Sequence, residues 1–175
     1  MNNFNKGWYL LYTRPNREKK VALHLDKRNV EFYLPIVKIT KKWSDRKKTI
    51  EAPLFPSYVF TYLQSNRDYF DALGIEGAVQ YVRIGKQIVR VDDTVVSNLK
   101  ILLNSREELS VSQQYISAGE ILHITEGPLA GLECEVVKYN GKDKIMVRVH
   151  LLNRAVLADL PLSYLARCSD IHYQY

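Results

Sequence analysis

At 175 residues, 46% of them apolar, the chain is long enough for one or two small domains with cores of their own, and its composition excludes a disordered polymer. No apolar run approaches the ~20 residues that span a bilayer, and two cysteines, Cys134 and Cys168, are too few for a disulfide framework or a thiolate metal site, so the cytoplasm is the expected compartment. The net charge of +6 is unevenly spread: residues 1–104 carry 18 Lys and Arg against 10 Asp and Glu, and residues 105–175 carry 7 against 9.

The opening MNNFNKGWYLLY has one lysine and no small-residue cleavage site, and WYLLY (8–12) predicts a first strand rather than a signal peptide. Pro15 suits the first turn of a helix over residues 16–28, with Val21, Ala22 and Leu25 as its inward stripe and Asn29 as its stop. FYLPIVKI (32–39) predicts a second strand, which Pro35 assigns to an edge or a bulge. KKWSDRKK (41–48) predicts a basic hairpin tip, and two strands follow it, the second being SYVFTYL (57–63). SNRDYFDALG (65–74) predicts a short helix capped by Ser65 or Asn66, with Tyr69, Phe70 and Leu73 inward. AVQYVRI and QIVRV form a strand pair around Gly85 and Lys86, and Val95, Val96, Leu99, Leu102 and Leu103 mark a third helix over about 93–104.

Residues 105–117 are polar and predict a linker. After it the texture turns to short strands: EILHIT, ECEVVKYN, KIMVRVHLL and RAVLADL, with turns at GPLAG and NGKD. About five short strands in this length suggest a small barrel, closed to remove exposed edges. The whole predicts an α+β, split-βαβ domain at 6–104, a linker at 105–117 and a small five-stranded β-barrel at 118–170.

No nucleophile elbow, phosphate loop, dinucleotide fingerprint or zinc-helix motif occurs, and the four histidines are scattered. No cofactor or metal is expected, and a binding protein is favoured over an enzyme. Arg14, Arg17 and Lys20 gather at the start of the first helix, Arg17 and Lys20 on one face. They form either a patch for a phosphate backbone or ordinary solvated helix charge. Lys41, Lys42 and Arg46 around Trp43 offer cations with a stacking ring, the pattern of single-strand binding, or else a flexible basic loop without a role. In APLFPSYVFTYL (52–63), alternation puts Tyr58, Phe60 and Tyr62 on one face and Val59, Thr61 and Leu63 on the other. Either its own domain buries both faces, or the Tyr58/Phe60 face, joined by Tyr12, is kept for a partner.

WYLLYTRPNREKKVALHL, YLPIVK, APLFPSYVFTYL and GAVQYVRIG, in that order, resemble the N-terminal domain of NusG-type transcription elongation factors. AGEILHITEGPLAGLECEVV resembles the KOW motif of the barrel that follows in that family, with Gly127 and Gly131 at its turn and Cys134 where the last glycine is usual. The resemblance implies a protein that binds the clamp helices of RNA polymerase and suppresses pausing and termination. It places Tyr12, Tyr58 and Phe60 in the apolar pocket for those helices. In the RfaH branch, Arg14, Arg17 and Lys20 match a face that reads single-stranded non-template DNA. WYLLYTRPN and PLFPSYVF are closer to the RfaH-like and UpxY-like specialised branches, which implies a monomeric antitermination factor for particular operons, such as capsular or surface polysaccharide loci. Its C-terminal domain would then meet a ribosomal protein. The alternatives are a general NusG coupling to Rho and the ribosome, or a KOW-type RNA-binding or ribosomal protein.

Overall fold

A computed structural model describes residues 5–42, 47–105, 109–112, 119–123, 132–139, 142–149, 152 and 154–159. Its first sheet is organised by β1 (Gly7–Thr13), apolar on both faces and buried along almost its whole length. Such a strand must lie inside a sheet covered on both sides. β5 (Tyr58–Leu63) pairs along one edge of β1, from Gly7↔Leu63 to Tyr12↔Tyr58. The other edge of β1 takes β6 (Ala78–Tyr81), with a register shift at Tyr12/Thr13, and β9 (Arg90–Val91). β2 (Glu31–Tyr33) pairs with the far edge of β5, so the order is β2-β5-β1-β6 and every pairing is antiparallel.

Two helices pack on one face of this sheet. α1 (Glu18–Lys27) and α2 (Asn66–Leu73) contribute Val21, Leu25 and Ala72 to a core with Tyr9, Leu11, Val59, Leu63, Ile75 and Tyr81. The stripe predicted for α1 is the one that is buried, and Asn29 ends the helix at φ 56°, a left-handed conformation that asparagine tolerates well. The helix starts later than the proline suggested. Asn16 also turns left-handed, at φ 61°, and the Arg17 N–H closes a turn on the Arg14 carbonyl at 3.1 Å, so regular helix can begin only at Glu18.

α2 begins as predicted, with a reciprocal capping box: Ser65 Oγ accepts the Asp68 N–H, and the Asp68 carboxylate accepts the Ser65 N–H at 3.0 Å. Its inward face differs. Phe70 is 68% exposed, and Ala72 takes the buried position. Tyr69 stacks on Tyr81 with centroids 5.0 Å apart, and Phe70, one helical step of about 100° further round, is carried off the core. Arg28 ties the two helix ends together by donating to the carbonyls of Asp71 and Gly74.

Leu34 and Pro35 separate β2 from β3 (Ile36–Lys42), which leaves the main sheet and pairs with β4 (Lys47–Pro53) as a two-stranded ribbon. The single strand expected over 32–39, with Pro35 at an edge or a bulge, is thus two strands in different sheets, and Pro35 lies in the break between them. β7 (Arg83–Ile84) and β8 (Gln87–Ile88) form the expected hairpin, with Gly85 at φ 61° in its turn. α3 (Asp93–Asn104) buries Val96, Leu99 and Leu102.

Contacts divide the chain into two compact units, with the break between Val96 and Ser97, inside α3. The second unit is an antiparallel sheet of β10 (Leu109–Ser112), β11 (Glu120–His123), β12 (Glu133–Tyr139), β13 (Lys142–Val149) and β14 (Arg154–Asp159), in the order β10-β14-β13-β12-β11. β10 lies within the stretch read as a linker. It pairs with β14 from Leu109↔Ala158 to Ser112↔Ala155. Four of these strands fall in the stretch expected to hold a five-stranded barrel and the fifth, β10, comes from the expected linker; among the described residues no pairing joins β10 to β11. In this sheet Val137, Met146, Ala155 and Leu157 cluster, and Arg148 meets the Glu135 carboxylate through two bonds of 3.0 Å. The Asn98 side-chain amide pairs with the backbone of Glu133 at the start of β12, donating to its carbonyl and accepting its N–H.

Candidate binding surfaces

β5 starts from a constrained turn. Ser57 sits at φ 68°, where a residue with a Cβ is strained. The turn is held from two sides. Glu18, the first residue of α1 and only 4% exposed, accepts the Ser57 N–H at 2.7 Å. The Ser57 carbonyl accepts the Thr13 N–H at 2.8 Å. Glu18 is thus less a helix charge than a brace that fixes where the next residue, Tyr58, emerges. Glu18→Ala is expected to lower stability by about 1–3 kcal/mol, because it strands a part-buried N–H, and Glu18→Gln, which keeps an acceptor, by less; urea unfolding of the two variants checks this.

Tyr58 stands directly across from Tyr12, their ring centroids 5.4 Å apart and tilted by 54°. Both are half-buried, so the pair presents part of its aromatic surface. Phe60 lies on the same sheet face, opposite Leu10, but is fully buried, with its centroid 6.1 Å from Phe55 and 6.2 Å from Tyr33. Burial pushes the Tyr33 phenol up to about 12, so it stays neutral beside this cluster. Further along, Trp8 meets Tyr62 edge to face at 5.2 Å. The structure thus joins Tyr12 and Tyr58 in one surface and buries Phe60, two residues along the same strand face, in a cluster with Phe55 and Tyr33. Glu18, Tyr33 and Phe55 are the parts that sequence reasoning passed over. Only Phe55 had a signal, since it belongs to the same aromatic run.

Of the predicted basic cluster, Lys20 and Arg17 both act on Glu76, and Arg14 joins the same loop through its backbone. Arg14 and Arg17 are exposed and Lys20 is half-buried. All three lie against the Glu76–Gly77 loop. The Arg14 N–H donates to the Gly77 carbonyl at 2.8 Å, Arg17 packs on Gly77, and Lys20 Nζ donates to Glu76 Oε2 at 2.8 Å. That hydrogen bond, then the charges of Lys20, Arg17 and His24, holds the Glu76 carboxyl below the usual carboxylate range. Lys19 turns the other way, to Glu51 at 3.8 Å.

In the ribbon, backbone register sets Lys41 opposite Lys48 and Lys42 opposite Lys47, so β3 and β4 bring their lysines to one end. Trp43 and Arg46, named for the same cluster, lie outside the described residues, as do Gly127 and Gly131. Among the described residues no group of three His, Cys, Asp or Glu is placed to hold a metal.

Comparison with known proteins comes down on one family. The family model described as transcription termination factor NusG matches residues 6–100. The transcription termination/antitermination protein NusG of Streptococcus pyogenes serotype M3 is 21% identical over 177 aligned positions, covering 95% of this chain and 98% of that protein. The serotype M1 protein of the same name matches to the same extent. Among solved structures, a Thermotoga maritima NusG determined for its domain interaction superposes with a TM-score of 0.50 at 20% identity, covering 91% of this chain and 96% of that one, which is a likeness of fold.

Proposed function

The chain belongs to the NusG family, and from that premise we propose that it is a transcription antitermination and elongation factor that binds the clamp helices of RNA polymerase through Tyr12 and Tyr58, with Phe60 buried in the same strand and acting through the domain core rather than by contact. The observation that carries this reading is the half-exposed Tyr12–Tyr58 pair, held in place by the Glu18–Ser57 hydrogen bond. Paired aromatic rings on a rigid strand are the kind of anchor that dominates protein interfaces. Phe60, on the same strand, packs against Phe55 and Tyr33.

No bond is made or broken in this activity. The factor acts by binding one conformation of the polymerase better than another, which moves the enzyme away from paused and terminating states. Arg14, Arg17 and Lys20 add contact to the single-stranded non-template DNA, and the ribbon lysines Lys41 and Lys42, with Trp43 and Arg46, extend that contact. The second unit acts as a KOW-type barrel with its turn at Gly127 and Gly131, meeting a ribosomal protein; its five-strand order supports this reading. The factor works as a cytoplasmic monomer. No helix among the described residues is long and apolar enough to cross a membrane.

Action at a few operons, such as capsular or surface polysaccharide loci, is the preferred form. The general form, coupling to Rho and the ribosome, draws support from end-to-end similarity to proteins named for both termination and antitermination. Mapping the factor along transcribed genes separates the two. Confinement to a few operons is expected, and occupancy of most genes would select the general factor. Removing the charges of Arg14, Arg17 and Lys20 together should reduce recruitment at a pause site while leaving binding to isolated clamp helices unchanged. Equal loss of both would make the patch structural.

A further inference from the structure

We propose that Glu76 is a built-in competitor for the nucleic-acid backbone, occupying the cation that a phosphate must otherwise take. The proposal rests on the reading of Arg14, Arg17 and Lys20 as a polyanion site. Glu76 Oε2 lies 2.8 Å from Lys20 Nζ, the distance a phosphate oxygen would adopt, and its carboxylate also feels Arg17 and His24. In this patch one oxygen anion already stands where the ligand's oxygen anion would.

A tether between α1 and the 76–77 loop does not require this ion pair. The Arg14 N–H to Gly77 carbonyl bond and the packing of Arg17 on Gly77 join the two segments independently. The Glu76 side chain is 72% exposed, where an ion pair contributes little to stability. What Glu76 does change is the local field. It removes one cation from the three and leaves Arg14 and Arg17, for which no ion pair is found among the described residues. Its carboxylate is ionised throughout the neutral range, so the competing charge is present beside Lys20 at any neutral pH.

The consequence is a threshold. A short or weakly charged strand meets a patch with one cation occupied. A strand held close by another contact, as at a polymerase surface, can displace the carboxylate and gain Lys20. Glu76 thereby restricts free binding to nucleic acid without preventing binding in a complex.

The test is titration of the full chain with a fluorescently labelled single-stranded DNA twelve-mer across a salt series, for wild type, Glu76→Gln, Lys20→Ala, the double variant, Arg14→Ala/Arg17→Ala and Asp93→Asn. Asp93 is a comparable exposed partner of Arg90, so its variant makes the same change in net charge elsewhere. Glu76→Gln should tighten binding about three- to fivefold near 0.1 M salt and steepen the log–log salt slope by about 0.7, the increment for one more phosphate on a single strand. The gain should vanish when Lys20 is also alanine, and Asp93→Asn should leave affinity unchanged. If Arg14→Ala/Arg17→Ala weakens binding but Glu76→Gln does not tighten it, or if Asp93→Asn tightens it equally, the competitor role is overturned and the polyanion site stands. If binding is indifferent to Arg14, Arg17 and Lys20, or is absent in wild type and Glu76→Gln alike, the site itself falls, and the competitor with it.

Discussion

Replacing Tyr58 with alanine is expected to weaken binding of the chain to core RNA polymerase by about tenfold to a hundredfold, the range found when an anchoring aromatic is removed from an interface. The fold should survive. Tyr58 is half-buried, and its loss within the domain is chiefly its ring contact with Tyr12, worth about 0.5–1.5 kcal/mol. Tyr12→Ala should behave alike. Because the rings touch, the double variant should lose less than the two single losses combined. A titration of immobilised core polymerase measures all three, with circular dichroism to verify folding. Full-strength binding by Tyr58→Ala would remove the aromatic pair from the interface.

Phe60→Ala should fail in a different way. The ring has no exposed surface and packs between Phe55 and Tyr33, so its removal opens a cavity and should cost about 3–5 kcal/mol of stability. Against the 5–15 kcal/mol that holds a typical domain together, that is a large share. Hydrogen exchange at the β1 and β5 amides is the direct measurement, since both strands should open together. Any loss of polymerase binding by this variant has to be read beside that destabilisation, whereas Tyr58→Ala reports on the surface itself. Unchanged exchange protection in Phe60→Ala would mean that the cavity closes by collapse around it.

The three helices were legible in the sequence because each carries a stripe at helical spacing, and two carry end signals of their own: the Ser65–Asp68 box and the left-handed Asn29. The hairpin of β3 and β4 was legible from its basic tip between apolar arms. The late start of α1 was not, because it depends on Asn16 choosing a left-handed conformation after Pro15, which many asparagines do not do. Phe70 was read as inward because aromatic residues usually are; the helix phase, set by Tyr69 on Tyr81, carried it outward. β10 escaped notice because four alternating residues in a polar stretch become a strand only when β14 supplies the partner.

The candidate surface divides in the same way. Residue types and their order along the chain pointed to Tyr12, Tyr58, Phe60, Arg14, Arg17 and Lys20, because alternation assigns faces to a strand and spacing assigns faces to a helix, and both are local rules. Which of those residues reach solvent was a matter of tertiary structure. Phe60 is buried and Tyr58 is not, though they are two residues apart on one face, because Phe55 and Tyr33 fold over one ring and not the other. Glu18 braces a turn 39 residues away, and Glu76 meets a lysine 56 residues away. No periodicity records such contacts, since each exists only once the sheet has brought β1, β5 and α1 together.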